Sequence, residues 1–303
     1  MNLIEWTTRF FEKRNIESPR LQAQMLLSHV LGWKRIDLYT KFDYVVPAEK
    51  LAEFKKLIIV RSERKPIQYI LGKCDFHSME FVVNPAVLIP RPETELVVDA
   101  LVARAKPVAG AKVLDLGTGS GCIVVSAAKQ LPEAEFWAAD VSAEALAVAA
   151  ENAKRHDVDS RIHFLQGDLF EPVRGITFGF VVSNPPYVSE SEWAGLAPEV
   201  RDHEPRGALA GGPDGLDVYR RLIPRAIGHL APGGRLILEL AAGRCRPVQE
   251  MAETAGFSTE EVIRDLQKIE RVLVLATAQP PQSAENAAQG EIPQLPQKET
   301  PAI

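Results

Sequence analysis

The chain has 303 residues, 46% of them hydrophobic and 25% charged, with a net charge of -5, which suits a globular protein of one large or two modest domains. No apolar run approaches the ~20 residues that cross a bilayer, and the first residues lack a basic segment leading into an apolar core. Three scattered cysteines, Cys74, Cys122 and Cys245, make neither a disulfide framework nor a zinc knuckle; the expectation is a cytoplasmic monomer with no metal and no membrane partner.

The acidic balance argues against a general nucleic-acid binder, though the charge is uneven. Residues 1–106 hold 17 Lys/Arg against 13 Asp/Glu, and the remainder holds 18 against 27. Helical punctuation fills residues 1–67. Ser18-Pro19 pairs an N-cap residue with a proline at the first helical position. Leu21, Met25, Leu26 and Val30 then recur at helical spacing until Gly32. Pro47 opens a further helix with Leu51, Phe54, Leu57 and Ile58 on one face. Short amphipathic helices in series cannot bury their stripes alone, so a small bundle with a substrate-recognition role is expected.

Over residues 68–92 the period shifts towards two. Tyr69-Ile70-Leu71-Gly72 and Phe76 to Val83 predict the arms of a hairpin, with His77 an exposed strand histidine. Pro90-Arg91-Pro92 then holds the backbone extended. Glu93, Thr94 and Glu95 open a helix whose apolar face is Leu96, Val97, Ala100 and Leu101. Arg91, Glu93 and Glu95 bring more charge than a helix start requires, which makes them candidates for contact with a substrate.

Residues 93–278 alternate strand and helix. The strand Lys112 to Leu116 runs into Gly117-Thr118-Gly119-Ser120-Gly121 and a helix beginning near Cys122. These glycines allow a tight turn and close approach of backbone to a ligand, beside a helix N-terminus. The third glycine comes one residue too early for the dinucleotide fingerprint. A second strand, Phe136 to Ala139, ends in Asp140, 19 residues after Gly121, where an acid suits a ribose diol. A third, Ile162 to Gln166, ends in Gly167-Asp168-Leu169-Phe170. There Asp168 is placed to accept from the amine of an adenine ring and Leu169 to pack on its face.

A fourth strand, Phe180-Val181-Val182, delivers Ser183-Asn184-Pro185-Pro186-Tyr187. The prolines stop the strand abruptly. Asn184 and the stiffly held carbonyl of Pro185 can grip a planar –NH2 group while Pro186 and Tyr187 wall its flat face. Strands at Arg235–Leu240, 261–264 and 271–276, with a helix near Leu216–Leu230 broken at Pro224, extend the pattern to a doubly wound α/β sheet. Between them, 189–215 is a long polar excursion, which inside a compact domain usually serves function. His203 within it is the candidate general base. Residues 279–303 hold five Pro and five Gln and read as a disordered tail.

Taken together, Tyr69-Ile70-Leu71-Gly72, Ile89 to Glu95, Asp115 to Gly121, Ser183 to Tyr187 and Asp214-Gly215-Leu216-Asp217 resemble the release-factor glutamine methyltransferases. Leu238 to Gly243 and Asp265 to Arg271 match the family's later signatures only loosely. The resemblance implies a class I, Rossmann-like methyltransferase with a seven-stranded sheet and a small N-terminal helical domain. It implies S-adenosylmethionine as cofactor, held by Gly117, Thr118, Gly119, Ser120, Gly121, Asp140, Asp168, Leu169 and Asn184. It further implies class I peptide chain release factors as protein partners, methylated on the glutamine of a Gly-Gly-Gln loop by Asn184, Pro185, Pro186 and Tyr187. A ribosomal-protein glutamine is an alternative substrate. The exocyclic amine of adenine is another, although it normally demands a basic channel that this acidic chain lacks.

Overall fold

The computed structural model describes residues 3–277; the expected disordered tail, 279–303, lies outside them. The chain begins with α1 (Leu3–Glu12), α2 (Pro19–Leu31), α3 (Asp37–Thr40), α4 (Ala48–Ser62) and α5 (Ile67–Leu71). Phe11, Leu26, Leu27, Val30, Phe54 and Ile58 form their shared core. Pro19 occupies the first turn of α2, but Ser18 does not cap it: its backbone is left-handed (φ 45°) and its hydroxyl makes no cap bond. A cap needs extended backbone to aim the side chain at the first amides. At the other end Gly32, at φ 66°, closes the helix as expected.

The predicted hairpin is shifted. Tyr69 to Leu71 is helical, in α5, and the strands are β1 (Lys73–Phe76) and β2 (Met79–Val82), joined through His77 and Ser78 at positive φ. Ile67 joins the bundle core, with Ile70 and Leu71 packed against it, and Gly72 at φ 72° ends the turn of helix. A short apolar run reads equally well as strand or helix until its neighbours decide.

From there come α6 (Glu95–Ala105), β3 (Lys112–Leu116), α7 (Cys122–Gln130), β4 (Glu135–Asp140), α8 (Ala143–Arg155), β5 (Ile162–Gln166) and β6 (Phe178–Ser183). The excursion holds α9 (Glu190–Trp193) and α10 (Pro198–His203), and α11 (Asp217–Ala226), β7 (Leu230–Glu239), α12 (Cys245–Thr254), β8 (Phe257–Arg264) and β9 (Glu270–Thr277) complete the chain. Among the described residues the larger sheet has seven strands in the order β5-β4-β3-β6-β7-β9-β8. The first five are parallel, and β9 runs antiparallel to both its neighbours.

Alternate strand residues sort to opposite faces, as the period of two requires. Val113, Val182, Ile237 and Val274 pack under α6, α7 and α8 with Leu101, Ile123 and Val125. Leu114, Val181, Leu236 and Leu273 pack under α11 and α12 with Tyr219, Leu222 and Val248. A sheet covered on both sides explains why its strands read as nearly continuous apolar runs.

The break expected at Pro224 is absorbed, and the strand expected from Arg235 starts earlier, at Leu230. Helix α11 runs through Pro224, because Tyr219, Leu222, Ile223 and Ala226 are all fully buried and their burial outweighs one lost backbone bond. Pro232-Gly233-Gly234 lies within β7 as a bulge, the register jumping from Phe178↔Leu230 to Phe180↔Arg235. Strands β3 and β6 are neighbours whose successors leave in opposite directions, so a crevice opens at their carboxyl ends, where ligands bind in open α/β sheets.

Candidate active site

A cavity of about 320 Å³ occupies that crevice. Its floor is the turn after β3. Gly117 (φ 69°) has open space where a Cβ would stand, and at Gly119 (φ 55°) only the Gly117 carbonyl lies nearby, at 3.9 Å. Both glycines line the cavity, so these two positions form a cradle that any side chain would narrow. Gly121 serves otherwise: a Cβ there would meet the Cβ of Ala149 on α8 at 3.0 Å. The turn is pinned from below by Asp115, which is wholly buried and accepts from Thr118 Oγ1 at 2.7 Å. Burial pushes the Asp115 carboxyl up to about 7.

Asp140 ends β4 and ties two loops together. Its Oδ2 accepts from the Gly119 amide at 2.9 Å and its Oδ1 from the Ser142 amide at 3.0 Å. The carboxylate is therefore held in place before any ligand arrives, with lone pairs left on both oxygens. Asp168 also lines the cavity, but its carboxylate is paired with Arg221 from α11. The expected bond from Asp168 to an adenine amine thus competes with an ion pair. Leu169 sits beside it at φ 52°, a strained backbone for a leucine and the kind of outlier found at ligand sites.

Strand β6 ends in Ser183, whose hydroxyl donates to the Leu116 carbonyl at 2.8 Å and joins the two strand ends. Asn184 follows. Its Nδ2 donates to Thr94 Oγ1 at 3.2 Å, and Thr94 donates to Glu239 Oε2 at 2.6 Å. The Tyr187 hydroxyl approaches Glu239 Oε1 at 3.4 Å, and burial drives its phenol well above the usual range. Asn184, Pro185 and Pro186 line the main cavity. Tyr187 lines an adjoining pocket of about 30 Å³, which it shares with Leu88, Arg91, Asn184 and Leu209.

The excursion folds back along this segment. Val188 donates to the Leu209 carbonyl and accepts from the Gly211 amide, each at 2.8 Å. At Gly211 and Gly215 the Tyr187 backbone passes too close for a side chain: a Cβ would stand 2.8 Å from the Tyr187 Cα and 2.3 Å from its carbonyl oxygen, respectively, while at Gly212 a Cβ would meet the Asp217 carboxylate. Pro205, Gly207 and Ala208 form one cavity wall. Glu204 anchors that wall, its buried carboxylate accepting from Arg91 Nη2 at 2.5 Å and from the Ile89 amide at 3.1 Å. At the other end of α10, Glu199 accepts from Arg61 of α4 at 2.9 Å and from Arg64 at 3.2 Å, so the excursion is tied to the helical bundle.

The structure therefore brings Gly117, Thr118, Gly119, Ser120, Asp140, Asp168, Leu169, Asn184, Pro185, Pro186 and Arg91 to one cavity, with Tyr187 next door and Gly121 behind. It leaves others out. Glu95 accepts from the His77 amide at 2.7 Å, beneath the hairpin turn, and Glu93 lies 3.8 Å from Arg271; neither lines the main cavity or the pocket beside it. The candidate base His203 is likewise absent from both linings. Four contributors went unread: Thr94, Glu204, Arg221 and Glu239. Glu239 offered a signal, an acid ending an otherwise apolar strand at the same sheet edge as Asp140 and Asn184.

A seven-stranded sheet of this order, with a glycine cradle and an Asn-Pro-Pro-Tyr strand end at the switch point, defines a class I S-adenosylmethionine-dependent methyltransferase. A methyltransferase from Pyrococcus furiosus shares the fold with a TM-score of 0.51 at 18% identity, over 74% of this chain and 98% of that one. Residues 92–198 match the methyltransferase small domain and residues 2–72 the PrmC N-terminal domain. The chain is 44% identical over 271 residues to the release factor glutamine methyltransferase of Geobacter sulfurreducens, covering 89% of this chain and 94% of the relative. It is 41% identical over 286 residues to that of Rhodopirellula baltica, covering 92% and 96%. The chain belongs to the release factor glutamine methyltransferase family.

Proposed function

We propose that this protein transfers a methyl group from S-adenosylmethionine to the side-chain amide nitrogen of the glutamine in the Gly-Gly-Gln loop of class I peptide chain release factors. It acts in the cytoplasm as a monomer, with no stable nucleic-acid or membrane partner. The observation that carries the reading is Asn184: its Nδ2 is committed to Thr94, while its Oδ1 has no protein partner among the described residues, and the residue lines the cavity.

The residues present fit the cofactor. The cradle of Gly117 and Gly119 takes its amino-acid end, Asp140 its ribose hydroxyls, and Leu169 the face of its adenine. Bound there, S-adenosylmethionine would supply an electrophilic methyl on a positively charged sulfur; its transfer would break that carbon–sulfur bond, form a carbon–nitrogen bond and release an N–H proton to water.

A carboxamide nitrogen is a poor nucleophile because its lone pair is delocalised into the carbonyl. The protein's task is therefore orientation. Asn184 Oδ1 and the Pro185 carbonyl each accept one N–H, leaving the remaining lobe aimed across the cavity. Pro186 and Tyr187 wall the flat amide. Holding reactants in this way can supply up to ~7–11 kcal/mol of a barrier, and acceptors facing the charge that develops on nitrogen add an electrostatic contribution.

Methyl-labelled cofactor incubated with a class I release factor, with ribosomal protein and with DNA tests the assignment. Label is expected in the release factor and not in a substrate whose Gly-Gly-Gln glutamine is replaced. Label in ribosomal protein or DNA alone would overturn the substrate. For the site, Asn184→Ala should lose most turnover at nearly unchanged cofactor affinity; equal loss of cofactor binding would remove its assigned role.

A further inference from the structure

We infer that Thr94 and Glu239 are positioning residues for the methyl acceptor, forming a one-way relay of hydrogen bonds that fixes which end of the Asn184 amide faces the substrate. The inference rests on the assignment of Asn184 as the group that grips the glutamine amide.

The three residues come from different elements and meet at one sheet edge. Ser183 pairs with Leu238 across β6 and β7, so Asn184 and Glu239 follow one another at adjacent strand ends. Thr94 stands at the start of α6. Thr94 and Glu239 are each 2% exposed, so water does not substitute for their partners. The Tyr219 hydroxyl donates to the Glu239 backbone carbonyl at 2.6 Å and holds that strand end in place.

Direction follows from counting protons. The Thr94 hydroxyl has one, and at 2.6 Å from Glu239 Oε2 it is given to the carboxylate. Towards Asn184 the Thr94 oxygen is then an acceptor only, so the end of the amide that faces it, at 3.2 Å, is the NH2. Oδ1 is what remains for the substrate. A flipped Asn184 would set its oxygen against an oxygen without a proton and present NH2 to the substrate's NH2, donor against donor. An asparagine alone has no such preference, because its two ends are nearly the same shape.

The relay holds its direction while Glu239 is ionised. A protonated Glu239 is itself a donor to Thr94, and Thr94 can then turn its proton towards Asn184. Burial pushes the Glu239 carboxyl up to about 7, against the hydrogen bonds from Thr94 and Tyr187; Glu93 before α6 raises it further and Arg271 on β9 lowers it. Tyr219 on α11 completes the groups facing it. The orienting state is thus lost as pH falls through the neutral range.

Four variants test this: T94V, T94S, E239Q and N184A, assayed for methyl transfer to a release factor across pH, with cofactor affinity measured by calorimetry. In the unaltered protein kcat/KM should fall with one proton below about pH 7. E239Q should flatten that limb, and T94V should lower kcat about 10- to 100-fold with cofactor affinity unchanged. T94S, which keeps the hydroxyl, should restore most of what T94V loses; this answers the objection that packing alone is damaged. If T94V stays within about twofold of the unaltered protein while N184A is inactive, the relay is wrong and the Asn184 assignment stands. An acid limb that persists in E239Q also overturns the relay. If N184A turns over normally, the assignment itself falls and the relay with it.

Discussion

Glu204 is the buried acid on which the cavity wall depends, and its removal makes the sharpest stability prediction. Its side chain is 1% exposed, while that of its partner Arg91 is 30% exposed. Glu204→Ala strands the Ile89 amide, which is buried and has Glu204 as its acceptor at 3.1 Å, at a cost of about 1–3 kcal/mol. Breaking a fully buried ion pair costs about 3–5 kcal/mol, but Arg91 can turn to water, so only a fraction of that applies. The sum is about 2–4 kcal/mol, or a melting temperature lower by about 5–10 °C in a domain of this size. Glu204→Gln should lose less, since its amide keeps one acceptor but sets its NH2 against a donor. Urea unfolding followed by circular dichroism on both variants, on R91A and on the double variant R91A/E204A measures the coupling, expected at about 1–2 kcal/mol. Cofactor affinity should fall alongside, because Pro205, Gly207 and Ala208 follow Glu204 directly into the cavity lining. An E204A protein within about 0.5 kcal/mol of the unaltered one would refute the anchoring role.

Asp140→Ala should weaken cofactor binding by about 10-fold or more while leaving kcat at saturating cofactor nearly intact, since it removes a ligand acceptor and the tie to Gly119; calorimetric titration showing unchanged affinity would argue against ribose contact. Gly215→Ala places a Cβ 2.3 Å from the Tyr187 carbonyl oxygen at a φ of 79°. The backbone strain alone costs about 1 kcal/mol, and a larger loss of turnover than of stability is expected as Tyr187 shifts. Asp115 and Glu239 both have carboxyls raised to about 7 by burial, so the folded state binds more protons than the unfolded one between the ordinary carboxylate range and neutrality. Their contribution to stability should fall as pH rises from about 4 to about 7, and D115N/E239Q should show a flatter profile in urea melts; an unchanged slope would contradict the raised values.

Much of the site was legible because chemistry and strand ends coincide. Strands β3, β4 and β6 could be read from apolar runs that stop at Gly117, Asp140 and Asn184, and a parallel sheet carries all such ends to one edge. The turn of helix at Tyr69 was not legible, since five apolar-rich residues fit either period until the bundle core claims Ile67 and Ile70. Pro224 and the early start of β7 misled for the opposite reason: burial on both sides of the sheet overrode local propensity. Glu204 lies in a charged stretch from Glu199 to Glu204, and nothing local distinguishes it. Its burial depends on Ile89 and Arg91, more than a hundred residues earlier in the chain. Thr94 lay inside a motif that drew notice for its charges, yet Glu93 and Glu95 face Arg271 and the hairpin turn, and the uncharged residue between them reaches the site.

Peptide-level mass spectrometry of a class I release factor, incubated with this protein and S-adenosylmethionine, bears most directly on the proposed reaction. One added methyl on the glutamine of the Gly-Gly-Gln loop, absent with Asn184→Ala, is the predicted result. An unmodified glutamine alongside methylation at another residue or in another substrate would contradict it.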